Sequence, residues 1–474
     1  MSSDASGGLP GHPLDGLLYD QTDLARLCAE RPLDWDEYAH MNEFHGNAAV
    51  IKHYAGLPTD LPLPFALEHA IPYDLETAYE YDVNSGLPLF LAVHEESAAI
   101  YQAGGLAEVE TVGCSYLYAQ ALFRERHDGA PSPARQGTLM FPDKSTLLME
   151  TDFDREAFAA RLLALPEEFQ PVVVCIYWRD HLRGTHEPFV AAGLPVVTCG
   201  HLRDADFQLR LHDLCRRFRY SCANDLAGSF VLSVLSGCHF FHLPTDGLTQ
   251  KKYGVTSTHD KDPTLKNPDK AACIAASPFP PESPNTQRIL AEGLAGIRFM
   301  RTREEFQTLH MKARKMLADA LGPGQIVLGQ ATERAALHRL LPVGLDFDGW
   351  ARTRCVLHLD NPKKVGAARL HLEFILSQDS GQTVEVRVNR ELIRTLTPPA
   401  YKQKVLIELP ANCETCEIML TSNREIQLIG DQRSRAYRIH QIELLPPVKP
   451  APLPPSKKKH ASLWRRMTRL FKTA

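Results

Sequence analysis

Short apolar runs rich in β-branched residues alternate with amphipathic stretches in the middle of this chain. Residues 171–177 and 194–199 form continuous apolar segments bounded by turn residues, which is typical of strands buried on both faces of a parallel sheet. Between 204 and 218, apolar positions recur at helical spacing. The pattern therefore predicts an α/β unit that continues through a strand at 219–222, a helix at 227–236 and a strand at 239–243.

Glycine, asparagine and histidine cluster where these strands are predicted to end. In doubly wound sheets, ligands bind outside the carboxyl ends of the strands. A helix that begins near Ala227 would also direct free backbone N–H groups at an anion such as a nucleotide phosphate. An alternative is that Asn224 serves only as a cap of this helix and that Gly228 is present only for helix packing. The residues predicted to line a ligand site are His201, Asp204, Asn224, Gly228 and Ser229.

A tight turn follows the predicted strand at 138–141 and contains Lys144, Ser145 and Thr146. One cation and two hydroxyl groups in one turn suit contact with a phosphate or a sugar. The same composition is also common in ordinary surface turns. The chain has no GxGxxG after a first strand and no GxxxxGK[ST], which disfavours a nicotinamide dehydrogenase or a P-loop enzyme.

The first part of the chain has its own α/β pattern. A helical pattern spans 34–56, strands are predicted at 64–68, 88–93 and 108–112, and a helix is predicted at 116–126. Two histidines and two glutamates, His45, His69, Glu43 and Glu68, lie beside predicted element ends. A histidine or a carboxylate there could act as general base for a sugar hydroxyl, with His69 and Glu43 as the candidates, although isolated histidines are more often structural.

From residue 344 the pattern changes to seven runs with strand alternation, which is typical of a β-sandwich. A proline-rich spacer follows the last run. The predicted organisation is a disordered N-terminus (1–20), an N-terminal α/β unit (21–136), a second α/β unit (137–343), a β-sandwich (344–445), a linker (446–456) and a basic amphipathic helix (457–474).

The basic helix combines bulky apolar residues with cations and contains no acidic residue, whereas the chain as a whole carries a net charge of −5. Such a helix suits an anionic lipid surface, where each cation contributes roughly 1 kcal/mol. A helix packed on the body and a docking peptide for a partner protein are the alternatives. The residues predicted to contact the membrane are Lys457, Lys458, Lys459, Trp464, Arg465, Arg466, Arg469 and Phe471.

Composition and charge bear on nucleic-acid binding, on the cellular compartment and on metal binding. Because the body is acidic, general binding to nucleic acid is not expected. The eleven cysteines are scattered through predicted strands and helices, and no secretory signal precedes them, so a reducing cytoplasm is expected. Cys413 and Cys416 form a CxxC pair without a second pair at zinc spacing. Of the two Asp-x-Asp triplets, Asp152-Phe-Asp154 is expected to cap a helix, and Asp346-Phe-Asp348 is expected to lie at a domain junction. No metal site is predicted.

The order of several segments resembles glycosyltransferase-like proteins of bacterial capsule and lipopolysaccharide clusters. The segments are Asn42–Gly56, Glu68-His69, Gly137–Pro142 with Ser145-Thr146, Gly200-His201 with Asp204, and Asn224 with Gly228. The chain departs from that family's pattern at Lys144 and Leu147, where relatives tend to carry histidines, and at Ala70, where they carry glycine.

The resemblance implies a GT-B-like fold with two Rossmann-like domains, in which the second domain binds the donor nucleotide and the first binds the acceptor. It implies a glycosyltransferase that moves a sugar from a nucleotide-activated donor to a polysaccharide or lipid-linked acceptor, at the inner face of the bacterial membrane. The nucleotide sugar would be a co-substrate, with no permanently bound cofactor and no metal. The competing interpretation is a catalytically inactive glycan-binding or scaffold protein with the same fold.

Overall fold

The computed structural model describes residues 12–31, 36–69, 71, 73, 77–129, 133–147, 149–252, 255–257, 268–360, 362–374, 380–397, 402–410, 413–428, 431 and 433–447. The predicted membrane-docking helix at 457–474 lies outside these residues, as does the predicted linker from residue 448 onward. None of the helices in the described ranges is long and apolar enough to cross a bilayer.

The first unit contains a small parallel sheet flanked by helices. Within the described residues, the sheet has three strands in the order β1-β2-β3. All three strands lie inside the segments predicted for them, although each is only two or three residues long. The elements are α1 (Leu24–Leu27), α2 (Asn47–Ala55), β1 (Ala66–Leu67), α3 (Glu80–Val83), β2 (Phe90–Ala92), α4 (Glu95–Ala103), β3 (Val109–Thr111) and α5 (Ser115–Arg126).

The second unit is built on a parallel sheet, here called the central sheet. Among the described residues it contains five strands, β4 (Thr138–Phe141), β6 (Val172–Ile176), β7 (Val196–Thr198), β8 (Tyr220–Ala223) and β9 (His239–His242). Their spatial order is β7-β6-β4-β8-β9. The first strand of the unit is therefore central and the chain winds outward in both directions, as in a doubly wound fold. The helices between these strands are α6 (Arg155–Leu163), α7 (Trp178–Leu182), α8 (Glu187–Ala191), α9 (Phe207–Cys215) and α10 (Gly228–Leu235).

In the part that the structure describes, the segment after β9 contains two short strands and three α-helices. Strand β5 (Met149–Asp152) pairs antiparallel with β10 (Thr249–Lys252), which in turn pairs with β11 (Val255–Ser257). Helices α11 (Pro268–Ala275), α12 (Pro284–Leu294) and α13 (Arg303–Ala320) follow. The α13 residue Phe306 contacts the ring of Tyr54 on α2, so this helix returns to the first unit.

The two predicted Rossmann-like domains share one hydrophobic core. Apolar residues of α2 and α5 belong to the same buried cluster as residues of β4, β6, α9 and α10. Val50 and Leu122 of the first unit and Val173 and Phe230 of the second are all at most 5% exposed within this cluster. The structure therefore has a mixed α/β body, and a GT-B arrangement of two separate domains stays a prediction.

The C-terminal part is an antiparallel sheet that curls around its own core, here called the C-terminal sheet. All seven predicted strands are present, as β14 (Trp350–Asp360), β15 (Ala367–Glu373), β16 (Val384–Val388), β17 (Glu391–Leu396), β18 (Lys402–Glu408), β19 (Thr415–Ser422) and β20 (Tyr437–Leu445). Their order is β17-β16-β19-β14-β20-β15-β18. Strands β14 and β20 pair at only two positions, Trp350 with Arg438 and Ala351 with Tyr437.

Because of this narrow junction, the two halves of the sheet fold toward each other. Residues of both halves, such as Leu357 and Leu370, lie in one buried cluster. The predicted sandwich is thus a curled sheet that resembles one. The sheet also begins earlier than predicted, because β12 (Gly324–Val327) pairs with β20 and β13 (Pro342–Leu345) pairs with β14. Helix α14 (Arg334–His338) lies between these two strands.

Residues 12–20 also differ from the prediction of a disordered N-terminus. The backbone N–H groups of Leu18 and Tyr19 donate to the carboxylate of Asp213, at 2.7 and 3.3 Å. Arg217 donates to the carbonyl of Asp15 at 2.7 Å. Since Asp213 is fully buried, these bonds satisfy a charge that would otherwise be costly to bury. Composition alone does not reveal such long-range partners.

Candidate functional site

The crevice between β4 and β8 is the point where the strand order of the central sheet reverses. The chain leaves β4 toward β6 on one side, and the later strands β8 and β9 add on the other. Ligands bind at such switch points in open α/β sheets. Lys144 follows β4 and Asn224 follows β8, while Tyr177 follows the neighbouring strand β6. Together with His45 of the first unit, we call these residues the switch-point cluster.

Asn224 is held in position by one side of its amide group only. Its Oδ1 accepts a hydrogen bond from the backbone N–H of Asp143 at 2.6 Å. Its Nδ2 has no hydrogen-bond partner among the described residues, although the side chain is only 3% exposed. A buried donor without a partner costs about 1–3 kcal/mol, so this amide is suited to donate to a ligand.

Lys144 is a half-buried cation of the switch-point cluster. Its Nζ lies 4.8 Å from the centre of the Tyr177 ring. Within the described part of the chain, no carboxylate oxygen lies within 4.0 Å of this nitrogen. Burial lowers the pKa of Lys144, and the charges of Asp143 and Asp180 oppose that change only partly. The cluster thus presents a positive charge that the fold does not neutralise.

The first turn of α10 lies beside Asn224. Its N-cap residue, Ala227, is extended, and no side chain caps the helix. The first unit approaches here, because the hydroxyl of Tyr73 donates to the Ala227 carbonyl at 3.2 Å. Gly228 is not required by the packing, since a Cβ there would meet Ile71 at an ordinary 3.9 Å. Ser229 is half-buried in the first turn.

Acidic groups near the cluster are already engaged. Asp225 forms an ion pair with Lys270 of α11 at 3.1 Å. Asp143 accepts hydrogen bonds from Gln250 at 2.9 Å and from the backbone N–H of Lys144 at 3.0 Å. Burial raises the pKa of Asp143, so its negative charge is disfavoured in the folded protein. These partners reduce the repulsion that an anionic ligand would meet.

His45 projects into the cluster from a strained turn. Its φ of 56° is in the left-handed region, which non-glycine residues rarely adopt. Its N–H donates to the Leu202 carbonyl at 2.7 Å, which fixes this conformation. The ring Nε2 lies 3.2 Å from the Tyr177 hydroxyl. Burial, together with the nearby charge of Lys144, lowers the pKa of His45 well below its usual value.

The next residue, Gly46, permits this close approach of the first unit. Its φ is 75°, and a Cβ here would lie 2.6 Å from the backbone oxygen of Ala205. No side chain larger than hydrogen fits between the two backbones. The Phe44-His45-Gly46 turn thus depends on both the left-handed conformation and the missing Cβ.

His69 lies in an aromatic environment in the first unit. The rings of Phe44, Tyr79 and Tyr81 surround it at centroid distances of 5.7–5.9 Å. Its Nδ1 is buried and has no hydrogen-bond partner among the described residues. Burial lowers the pKa of His69 to about 4, so the ring is neutral at pH 7. Neutral imidazole with an unused nitrogen can accept a proton, but with this pKa it is a weak base.

Other residues predicted to form the site serve the fold in this structure. Glu43 accepts a hydrogen bond from the Glu37 N–H at 2.8 Å and is ion-paired with Arg203 at 2.6 Å. Asp204 pairs with Arg210 at 2.8 Å and with Arg31 at 3.0 Å. His201 is 1% exposed, packs on the Trp178 ring at 4.2 Å and accepts from the N–H of Arg203 at 3.1 Å.

Ser145 and Thr146, the two hydroxyl residues of the predicted turn, form hydrogen bonds within the protein that hold the turn. Ser145 is fully buried, and its Oγ accepts from the N–H of Thr151 at 3.2 Å while its own N–H donates to Asp180 at 3.2 Å. The N–H of Thr146 donates to the Met149 carbonyl at 2.7 Å. These bonds shape the turn, and Lys144 is the member of the triplet that remains for a ligand.

Sequence reasoning did not assign Tyr177 to the site. Its position directly after the apolar run at 171–176 was the available signal, because that position is the carboxyl end of a strand. No signal in the sequence indicated that Asp143 would bond Asn224, since 81 residues separate them.

Asp154 caps α6 as predicted, accepting from the N–H of Ala157 at 2.9 Å. Asp346 and Asp348 lie at the junction with the C-terminal sheet, where Arg433 binds Asp348 at 2.8 Å and Arg435 binds Asp346. Over the described ranges, no group of three or more His, Cys, Asp or Glu side chains is arranged to hold a metal ion.

No protein-family model matches the chain, and no curated protein matches it. Among solved structures, it is similar to a family 35 carbohydrate-binding module from an environmental isolate, with 22% identity, 22% of this chain and 74% of that chain covered, and a TM-score of 0.15. A glycoside hydrolase family 43 arabinoxylan arabinofuranohydrolase from Bacillus subtilis shares 9% identity over 22% of each chain, with a TM-score of 0.15.

A family two carbohydrate esterase from Clostridium thermocellum shares 13% identity over 27% of this chain and 35% of its own, also with a TM-score of 0.15. The chain thus spans about a third or less of the length of the hydrolase and the esterase. Likenesses with such low TM-scores carry no argument about the fold or the function of this chain.

Proposed function

We propose that this protein is a glycosyltransferase that moves a sugar from a nucleotide-activated donor to a surface polysaccharide or lipid-linked glycan. The observation that carries the proposal is the switch-point cluster, in which Lys144 has no counter-ion and the Nδ2 of Asn224 has no acceptor among the described residues. Both groups lie at the carboxyl ends of parallel strands, beside the first turn of α10. Such a crevice suits the diphosphate of a nucleotide sugar.

In this proposal, the protein binds the leaving phosphate through fixed positive groups. The Lys144 ammonium pairs with a phosphate oxygen, and the Asn224 amide and the first N–H groups of α10 donate to the same diphosphate. These groups are held before substrate arrives, so they stabilise the charge that develops on the leaving group without reorganisation. His201 and Asp204, which were predicted donor contacts, act by holding the neighbouring loop.

On the acceptor side, His45 contacts the cluster through Tyr177, and His69 lies in the first unit within electrostatic range of His45. Both are neutral at pH 7 because burial lowers the pKa of each. A neutral imidazole can orient the acceptor hydroxyl and take its proton late in the transfer, when the hydroxyl has become more acidic. Glu43 is a poorer candidate, because its carboxylate is already paired with Arg203.

Two observations favour the competing function, a glycan-binding or scaffold protein without turnover. The pKa of His69 is about 4, which makes this ring a weak base, and Glu43 is engaged in an ion pair. A protein with an intact donor site and no effective base would bind the nucleotide and release it unchanged.

The test is thermal unfolding in the presence of UDP, GDP, CMP and their sugar conjugates. A ligand that binds only the folded state at 100 times its Kd stabilises it by about 2.7 kcal/mol. We expect one of these nucleotides to raise the unfolding temperature of the wild type, and Lys144→Met to remove most of that increase. Lys404→Met, which changes an exposed lysine of the C-terminal sheet, is the matched control.

No stabilisation by any nucleotide would refute both the donor site and the transferase. Stabilisation by a nucleotide, without its release from the corresponding nucleotide sugar when glycan acceptors are added, would support the binding protein instead.

A further inference from the structure

A separate cavity lies at the junction of the first unit, α14 and the C-terminal sheet. Its volume is about 460 Å³, within the range of sites for small molecules. Tyr38 and His40 line it from the first unit, Arg334 and His338 from α14, and Phe347 from the turn before β14. Since three parts of the chain form the cavity, it exists only in the assembled protein.

Arg334 is a cation that lines this cavity. Its guanidinium lies over the ring of Phe347, at 4.5 Å from the centroid. In the ranges that the structure describes, no carboxylate lies within 4.0 Å of it, and its buried Nε has no hydrogen-bond partner. Arg433, which also lines the cavity, differs because it is paired with Asp348 at 2.8 Å and with Asp431 at 2.9 Å.

His338 supplies an unused acceptor next to this cation. The side chain is 6% exposed and packs against the Tyr38 ring at 4.9 Å. Burial lowers the pKa of His338 to about 4, and a hydrogen bond to the Gly86 carbonyl opposes this only partly. Its Nδ1 has no partner among the described residues. A neutral ring that donates to Gly86 through Nε2 leaves Nδ1 as an acceptor.

The other charges of the cavity are largely neutralised within the protein. Glu37 and Lys52 form a buried ion pair, and Glu37 also accepts from the Leu63 N–H at 2.8 Å. Asp36 binds Arg352 at 2.6 Å. A ligand would therefore meet the Arg334 guanidinium, the His338 acceptor, the exposed carboxylate of Asp60 at the rim and a wall of mixed polar and apolar residues. An apolar ligand would leave these groups buried without partners, which is unfavourable.

We propose that this cavity binds a polyhydroxylated carboxylate, of which a uronic acid is the simplest example. The carboxylate forms a two-point ion pair with the planar guanidinium of Arg334, which Phe347 holds in place. A ring hydroxyl donates to the Nδ1 of His338. The site is separate from the switch-point cluster, so this inference does not depend on nucleotide binding or on sugar transfer.

The experiment is calorimetric titration of the full chain with D-glucuronate, D-glucose and L-glutamate. We expect glucuronate to bind at least 10-fold more tightly than either other compound, because glucose lacks the carboxylate and glutamate lacks the hydroxyls. Arg334→Gln should weaken glucuronate binding by 10- to 100-fold, the usual effect of losing a charge-assisted pair. Arg339→Gln, one residue after α14, is the matched control and should bind like the wild type.

Leu61→Trp provides a second variant that keeps Arg334 but fills the cavity from a half-buried position in its wall. It should also reduce glucuronate binding. The circular dichroism and unfolding temperature of each variant show whether it is folded. Equal affinity for glucose and glucuronate, affinity for glutamate as high as for glucuronate, no binding of glucuronate, or unchanged binding by both folded variants would each overturn the proposal.

Discussion

Replacing Lys144 by methionine should stabilise the free protein while it weakens ligand binding. In the folded state this lysine is half-buried and has no carboxylate within 4.0 Å among the described residues, so the desolvation of its charge is compensated only partly, by the more distant charges of Asp143 and Asp180. Methionine keeps most of the apolar stem and removes the charge. A lysine held in a buried ion pair would show the reverse, because its replacement would break that pair.

The expected change in the free energy of unfolding is the sum of two opposing contributions. The substitution loses the contact with the Tyr177 ring at 4.8 Å, worth about 0.5–1 kcal/mol. It also removes a charge whose full burial costs several kcal/mol after relaxation, a cost that is smaller here because Lys144 is only half-buried and Asp143 and Asp180 lie nearby. We therefore expect the free energy of unfolding to rise by about 1–2 kcal/mol at pH 7. Binding of a nucleotide diphosphate should weaken by about 1.5–3 kcal/mol, or roughly 10- to 100-fold.

The stability difference between Lys144→Met and the wild type should also decrease as the pH rises. Burial holds the pKa of Lys144 in the folded state below its ordinary value of 10.5, so the folded state releases this proton more readily than the unfolded state. Below the folded pKa the charge penalises folding, and the penalty disappears as the pH rises from the folded pKa to about 10.5. The advantage of the variant should therefore be largest near pH 7 and decrease toward pH 10.

The assay is denaturant unfolding of the wild type, Lys144→Met and the control Lys404→Met between pH 7 and pH 10, with and without nucleotide. The control should lie within about 0.5 kcal/mol of the wild type throughout. A loss of more than about 1 kcal/mol in Lys144→Met at pH 7 would refute the reasoning, because it would mean that the lysine is a structural cation.

Three further outcomes are expected. Lys52→Met should destabilise the protein by about 3–5 kcal/mol in denaturant unfolding at pH 8, because it leaves the carboxylate of Glu37 buried without its partner, and adding Glu37→Gln should recover much of the loss. Gly46→Ala should lower the free energy of unfolding by about 2–4 kcal/mol, since its backbone has a φ of 75° and a Cβ would meet the Ala205 oxygen at 2.6 Å; a loss below 1 kcal/mol would contradict this contact. Removal of residues 457–474 should abolish flotation with liposomes that contain anionic lipid, and equal flotation of both forms would refute the membrane hypothesis.

Much of the secondary structure could be predicted because it depends on local patterns. The continuous apolar run at 171–177 became β6, and the seven alternating runs after 344 became strands of the C-terminal sheet. The pattern of 204–218 became α9, with Leu209 and Leu214 buried. In each case the pattern of apolar residues is enough to indicate whether one face or both faces of the element are buried.

The candidate site was predicted only in part, because the role of a polar residue depends on its partners. Asn224 and Lys144 look no different in the sequence from Glu43 and Asp204. The structure separates them, since Arg203 and Arg210 neutralise the latter two, whereas Lys144 has no counter-ion among the described residues. Arg203 is 160 residues from Glu43, and no local pattern encodes such a distance.

By itself, the sequence determined the strands and helices of the α/β body, the strand-rich C-terminal part and the positions at strand ends where polar residues accumulate. Tertiary structure decided the strand order of the central sheet, the core that the two units share and the curl of the C-terminal sheet. It also decided that Lys144 and Arg334 are cations without counter-ions among the described residues. The physical reason is that periodicity reports which face of an element is buried, while charge compensation depends on residues that folding brings together from distant parts of the chain.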